Sequence, residues 1–282
     1  MTAVEFMFAP FVVCLLLIGI NIYFGIHVIK REIIFIDIAM AQIAALGATI
    51  ATLVHTHHEH AHHDHDGMGL LSYVLAIGAT TLAAALFTLI KSRRVPIPLE
   101  ALIGIAYAVA TTGAVILLDA AAGGDVHLHE MIAGAILWVR WDQILELSIV
   151  FFLVGLFHFI FRNRFIALTQ TYNSPQGYSA LWDFLFYATF GIVVVHSVRI
   201  GGILTVFAFL IIPASISALF TESWTRRILI GWALGTVVSI CGLYLSWTMD
   251  IPSSPTVILF LGVFLLLALL VRRLGIIGRA GS

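Results

Sequence analysis

Nine stretches of the chain are apolar and long enough, or nearly so, to cross a lipid bilayer as helices. Crossing the hydrocarbon core takes about 20 mostly apolar residues. Open sheets are excluded there, because lipid offers no partners for unpaired backbone groups. The nine stretches are 6–29, 33–54, 69–90, 99–118, 144–161, 183–198, 200–220, 228–247 and 255–271. The sequence therefore predicts an all-α fold, a polytopic membrane helical bundle of about eight to nine transmembrane helices in a single domain, 1–282.

Lysine and arginine divide the connections between these stretches into two classes. Taken alternately along the chain, one class holds only Arg140 and Arg199, and the other holds the remaining twelve of the 14 basic residues. The twelve are Lys30, Arg31, Lys91, Arg93, Arg94, Arg162, Arg164, Arg226, Arg227, Arg272, Arg273 and Arg279. Because cytoplasmic loops collect basic residues, we expect the C-terminus inside and the N-terminus outside. His27, close to Lys30 and Arg31, is expected at the membrane interface.

A histidine-rich segment follows the second apolar stretch, on the predicted outer side. It holds seven histidines and three acids: His55, His57, His58, Glu59, His60, His62, His63, Asp64, His65 and Asp66. Imidazole with carboxylate suits zinc and its first-row neighbours. Ordered zinc sites use a few ligands at fixed spacing, so this density predicts a mobile loop that collects metal. The alternative is a solvated polar loop that happens to be rich in histidine.

A second, weaker group of metal-attracting residues lies in the outer segment 119–130. His127 and His129 share one side of an extended strand, with Asp119, Asp125 and Glu130 nearby. This segment is predicted to be either a second collector or part of a docking surface.

Three of the polar residues in or at the ends of the apolar stretches are candidates for a translocation pathway: Asp37, Gln42 and Glu100. A carboxylate inside a membrane helix is expensive and indicates function by default, so Asp37 is a candidate for the pathway of a cation. The alternative for Asp37 is pairing with Lys30 or Arg31. Gln42 could coordinate an ion, although packing between helices is the more common role, and Glu100 could cap the helix that it begins.

The inner connection 162–182 is the longest cytoplasmic stretch and offers a surface for a partner. A P-loop needs Gly-Lys before Ser or Thr, but both lysines here, Lys30 and Lys91, follow isoleucine. The chain therefore carries no P-loop for ATP. With a net charge of -1 and no basic face, nucleic acid is not expected as a partner.

Several motifs stand in a fixed order along nearly the whole chain. They are GIHVIKREIIFIDIAMAQIAALGATIA, LEALIGIAYAVATTGAVIL, GAILWVRWDQIL, SALWDFLFYATF, VRIGGILTVFAFLIIPASISALFT and DIPSSPTVIL. This series resembles the permease subunits of the metal-type ABC importers, which take up zinc, manganese or iron. The most specific piece is the run with Leu-Ile-Pro-Ala, which ends at residue 221.

The resemblance implies a multi-pass protein of the prokaryotic inner membrane and three protein partners. These are a separate ABC ATPase subunit, an extracytoplasmic metal-binding protein and a second copy of the permease in a homodimer, all in a lipid bilayer. It also implies that the inner connection couples to the ATPase, through Tyr172, Asn173, Ser174, Pro175, Gln176, Gly177 and Tyr178. No tightly bound cofactor is expected, only the transported divalent metal, with zinc favoured and manganese or iron as alternatives.

One departure from the family pattern concerns the second span. The family has Asp and His at positions i and i+4, whereas Asp37 is followed at i+4 by Ala41. If Gln42 replaces the histidine, the aspartate position is Ile38. Asp37 and Gln42 are about 140° apart around a helix, so they cannot form that paired site within one helix.

The leading hypothesis is an ATP-driven importer in which the histidine-rich loop concentrates metal. A gradient-driven secondary transporter is the second hypothesis, although it would need more acids or histidines inside the membrane. The third is a membrane metal sensor that binds metal and transports nothing.

Overall fold

The computed structural model describes residues 3–56, 65–92, 96–119, 136–172 and 178–274. These residues form ten α-helices and one 3-10 turn, Ile136–Trp138, with no strand among them. The helices are α1 Ala3–Arg31, α2 Ile36–Thr56, α3 His65–Ser92, α4 Leu99–Asp119, α5 Trp141–Ile160, α6 Arg162–Gln170, α7 Ala180–Gly201, α8 Ile203–Phe220, α9 Trp224–Met249 and α10 Ser253–Arg273. The all-α prediction is confirmed.

Within the described residues, eight of these helices are long and apolar enough to cross a membrane. A ninth, α2, has a shorter apolar part, Ile36–Ala51, so the predicted eight to nine spans agree with the structure. The sixth and seventh predicted spans are separate helices, α7 and α8, because Gly202 between them has a φ of 74°. Glycine takes that left-handed conformation without the steric cost that other residues carry.

The described helices form two compact units. The first holds α1, α5, α8, α9, α10 and the last residues of α7, and the second holds α2, α3, α4, α6 and most of α7. The interpretation of residues 1–282 as a single transmembrane domain stays a prediction.

Helix α1 is the core of the first unit, and glycines bring it close to α8 and α9. At Gly25 an added Cβ would lie 1.9 Å from the carbonyl oxygen of Leu210 in α8. Gly231 and Gly235 of α9 face the side chains of Ile22 and Ile18. Membrane helices associate by such close packing of small residues. Lipid tails are as apolar as the side chains, so the hydrophobic effect does not drive the helices together.

Aromatic side chains connect the helices of the first unit at both of its ends. At one end, Tyr23 of α1 hydrogen-bonds to His158 of α5, and His27 lies against Trp224 of α9 with ring centroids 4.6 Å apart. This end carries Lys30, whose Nζ lies 5.1 Å from the centroid of the Trp224 ring. His27 is fully buried, because neighbouring helices cover it; its predicted place at the membrane interface stays a prediction.

The opposite end of the first unit carries a belt of aromatic rings. Phe6 contacts Trp138 and Trp247, and Phe8 contacts Trp141. Tryptophan is enriched at membrane–water interfaces. Within this unit the C-terminus of α1 and the N-terminus of α9, both basic, therefore share one end, as the charge pattern of the sequence predicts.

Candidate translocation site

Helix α2 packs against both α3 and α4 in the second unit. At its crossing with α3, an added Cβ on Gly47 would lie 2.6 Å from the carbonyl oxygen of Leu75. On the α4 side, a Cβ on Gly113 would lie 3.3 Å from the Leu46 side chain. Close contact on two sides holds α2 in a fixed position, and α2 carries two of the three predicted pathway residues.

Asp37 lies in the first turn of α2 and is buried, with 1% of its surface exposed. Among the described residues its Oδ1 atom has no hydrogen-bond partner. The helix dipole favours a carboxylate at this position, but burial of an incompletely paired carboxylate is costly. An oxygen atom held in this way is available to a cation.

Glu100 lies in the first turn of α4, close in space to the start of α2. Its Oε1 atom accepts a hydrogen bond from the backbone N–H of Phe35 at 3.2 Å. The bond joins α4 to the turn before α2, where capping of α4 itself was expected. Its second oxygen, Oε2, is buried without a hydrogen-bond partner in the described part of the chain. Since Phe35 is two residues before Asp37, both carboxylates lie at the α2–α4 junction.

Gln42 is also buried, with 6% of its surface exposed. Its Oε1 atom has no hydrogen-bond partner within the described ranges. Its position five residues after Asp37 places it about 140° around α2 and about 7.5 Å along the axis. The helix therefore does not bring Asp37 and Gln42 onto one face, as the sequence indicates.

Two described helices reach into the sequence limits of the predicted histidine-rich loop, 55–66. His55 is in the last turn of α2, which ends at Thr56, and α3 begins at His65 with Asp66 in its first turn. The residues between the two helices lie outside the described part of the chain, so the loop itself stays a prediction.

The other predicted collector residues lie outside the described residues. They are His57, His58, Glu59, His60, His62, His63, Asp64, His127 and His129. Among the residues that the structure does describe, no group of three or more His, Cys, Asp or Glu could hold a metal ion.

The predicted coupling segment is described at its two ends. The hydroxyls of Tyr172 and Tyr187 share a hydrogen bond of 2.5 Å. The Tyr178 hydroxyl donates to Asp183 Oδ2 at 3.0 Å and lies 3.3 Å from the carbonyl oxygen of Thr88. Both tyrosines are thus joined to neighbouring helices. The five residues between them, Asn173, Ser174, Pro175, Gln176 and Gly177, lie outside the described residues.

Part of the inner connection is helical, where the sequence predicted a polar connection with a helix-like end. The nine-residue α6 buries Phe165, Leu168 and Thr169. These residues follow helical spacing, so one face packs and the polar face stays exposed. The ring of Phe165 meets Trp182 of α7 edge to face at 5.5 Å, which fixes α6 against α7.

The residues that anchor this segment were not predicted. Lys91 and Tyr187 contact Tyr172, and Thr88 and Asp183 contact Tyr178. Asp183 carried a signal in the sequence, because it is a carboxylate in the first turn of an apolar helix. Lys91, Thr88 and Tyr187 are not carboxylates inside an apolar helix, so the sequence did not single them out.

Comparisons with known proteins agree with this architecture. The model of the ABC 3 transport family matches residues 3–272. The "Probable metal transport system membrane protein" of Chlamydia pneumoniae is 23% identical over 254 residues, which cover 88% of this chain and 83% of that protein. The "Manganese transport system membrane protein MntC" of Listeria monocytogenes is 28% identical over 203 residues, which cover 69% of this chain and 71% of that protein.

A solved structure shares the fold. A chain of "PsaBC from Streptococcus pneumoniae in complex with Fab" aligns with a TM-score of 0.73 and 18% identity, over 94% of this chain and 91% of that chain. The resemblance read from the sequence motifs is confirmed: because the family model matches nearly the whole chain, the protein belongs to the ABC 3 transport family and is a permease of the ABC transporter type.

Proposed function

We propose that the chain is the permease subunit of an ATP-driven importer of divalent metal ions, with zinc as the favoured cargo. The observation that carries the proposal is the family match over residues 3–272. The names of the relatives, which refer to metal and manganese transport, support a metal as cargo. The protein would act as a translocator in a prokaryotic plasma membrane and would not itself hydrolyse ATP.

The proposed pathway follows α2 from one end of the second unit to the other. The histidine-rich segment begins at the C-terminal end of α2, and Asp37 lies at the N-terminal end, with Gln42 between them. Glu100 adds a second carboxylate, which is hydrogen-bonded to the backbone of Phe35, two residues before Asp37. In this proposal the histidines concentrate metal at the outer end, and the buried oxygen atoms replace part of its hydration during passage.

The metal that the protein prefers depends on whether histidine nitrogens or carboxylate and amide oxygens bind it. Imidazoles favour zinc, whereas carboxylate and amide oxygens also suit manganese. The buried donors Asp37, Gln42 and Glu100 offer only oxygen, so they favour no single metal. Zinc is preferred on account of the histidines, and manganese and iron are the alternatives.

Three protein partners belong to the proposal. A separate ABC ATPase would supply energy, since neither lysine stands in a P-loop context. An extracytoplasmic metal-binding protein would deliver the ion. A second copy of the chain would complete the translocator as a homodimer.

Reconstitution in liposomes tests the proposal. The chain is combined with its candidate ATPase and binding protein, and uptake of radioactive zinc and manganese is measured with and without ATP. Zinc entry that requires ATP is the expected result. Manganese entry alone would keep the importer and change the cargo. Entry without the ATPase would favour a gradient-driven transporter, and zinc binding without entry would favour a sensor.

Replacing His57, His58, His60, His62 and His63 with asparagine is expected to raise the half-saturating zinc concentration several-fold. The maximum rate should stay unchanged, because a collector raises the local ion concentration without entering the translocation step. Uptake is measured across a zinc titration in the reconstituted complex. The unmodified complex in the same titration is the control, and a separate variant at His127 and His129 measures the second predicted collector on its own. Unchanged uptake at limiting zinc in the five-histidine variant would exclude the collector role.

A further inference from the structure

The two ends of the coupling segment, Tyr172 and Tyr178, each contact helices of the second unit. Each of these two groups of contacts is called a latch below. The first latch joins Tyr172 to Tyr187 of α7, through hydroxyls 2.5 Å apart. In the same latch, Lys91 Nζ of α3 lies 4.0 Å from the centroid of the Tyr172 ring. Tyr172 and Tyr187 are 3% and 0% exposed, so their hydroxyls are shielded from solvent.

The second latch lies six residues further along the chain. The Tyr178 hydroxyl donates to Asp183 Oδ2 of α7 and lies 3.3 Å from the carbonyl oxygen of Thr88 of α3. Asp183 is fully buried, and hydrogen bonds to a buried carboxylate are among the stronger ones. Each latch therefore touches both α3 and α7, at the end of α3 and the beginning of α7.

Further from the coupling segment, α3 and α7 also pack against each other. A Cβ on Gly191 of α7 would lie 3.0 Å from Thr80 Cβ of α3. Further along, Val195 of α7 packs with Ala76 of α3 and Ala44 of α2. This contact brings α2 into the same packed group.

The link from α3 to α2 is rigid. Gly47 of α2 meets the Leu75 backbone of α3 so closely that no side chain fits between them. Packed interiors transmit displacement, because they have few voids to absorb it. A shift of α3 therefore moves α2, which carries Asp37 and Gln42.

We propose that Tyr172 and Tyr178 are positioning residues, which transfer movement of the coupling segment through α3 and α7 to α2. The proposal rests on the proposed ATP-driven import, and it assigns the transfer to these two hydroxyls and their partners. A phenylalanine at either position would fill the same volume as the tyrosine. The hydroxyls therefore matter for the orientation of the two tyrosines and not for packing volume, since a hydrogen bond weakens steeply when its geometry changes.

The test uses the phenylalanine variants of the buried pair in the reconstituted complex. Tyr187→Phe is the main variant, because a fully buried side chain cannot touch the ATPase directly. Zinc uptake and ATP hydrolysis are measured on the same vesicles. The zinc transported per ATP hydrolysed is expected to fall about threefold to tenfold, as expected for the loss of one hydrogen bond. Tyr107→Phe, at an exposed position of α4, is the matched control and should leave the ratio unchanged.

The double variant Tyr172→Phe/Tyr187→Phe separates positioning from stability. Removing one hydroxyl breaks the bond and leaves the other hydroxyl buried, which costs more stability than removing both together. Thermal stability in detergent should therefore fall in Tyr187→Phe and recover in the double variant, while the transport ratio stays low in both. Recovery of the ratio together with stability, or an unchanged ratio in Tyr187→Phe, would overturn the inference alone. Absence of ATP-dependent uptake in the unmodified complex would overturn the proposed function, and the inference with it.

Discussion

Replacing Gly25 with alanine is expected to destabilise the folded permease more than any other single-methyl addition to α1. The new Cβ would lie 1.9 Å from the Leu210 carbonyl oxygen and 3.1 Å from Ala214 Cβ. The obstacle is backbone, so no rotamer change relieves the clash, and α1 and α8 must separate. Overpacking that side chains can relieve already costs about 1–3 kcal/mol. We expect a fall in melting temperature of roughly 10 °C, measured by size-exclusion thermal scans in detergent.

Gly19→Ala is the control for this prediction, because Gly19 lies in the same helix and a Cβ there meets nothing within 4 Å. Alanine is favoured over glycine in a helix interior by about 1 kcal/mol, so this variant should be as stable as the wild type or more so. Equal melting temperatures for the Gly25 and Gly19 variants would contradict the close α1–α8 contact.

The number and limits of the membrane helices followed from the sequence because lipid imposes a length and an apolar composition on each span. The break between α7 and α8 was visible because the sequence separates two apolar stretches there, 183–198 and 200–220. The short helix α6 was not predicted as a helix. Its buried face consists of only Phe165, Leu168 and Thr169, and so few positions give a weak periodic signal.

The candidate site was predicted only in part, because its contacts join distant parts of the chain. Asp37 was identified from the sequence, since a carboxylate in a membrane helix is rare. Glu100 joins the α2–α4 junction through its hydrogen bond to Phe35, between residues 65 positions apart. The Tyr178–Thr88 contact spans 90 positions. Local propensity and periodicity carry no information about such pairs, which depend on how helices pack.

Substitution of Asp37 with asparagine is expected to lower zinc uptake by about tenfold to hundredfold at limiting zinc. An interaction with a charged group contributes about 1.5–3 kcal/mol, which corresponds to this range. Asparagine keeps the shape of the side chain, but it removes the negative charge that would bind the cation. Uptake in the reconstituted complex is the measurement, with ATP hydrolysis recorded in parallel to confirm assembly.

The stability of this variant decides between a role in transport and a role in folding. A buried carboxylate without a full set of partners is costly, so the neutral Asp37→Asn variant should melt at the wild-type temperature or higher while it transports less. Asp142→Asn is the matched control: its side chain is 61% exposed and pairs with Arg140 at the surface, where an ion pair contributes about 0–1 kcal/mol. That change should affect neither property. A parallel fall in uptake and melting temperature for Asp37→Asn would mean that the carboxylate supports the fold, and the cation pathway would then have to pass elsewhere than the α2–α4 junction.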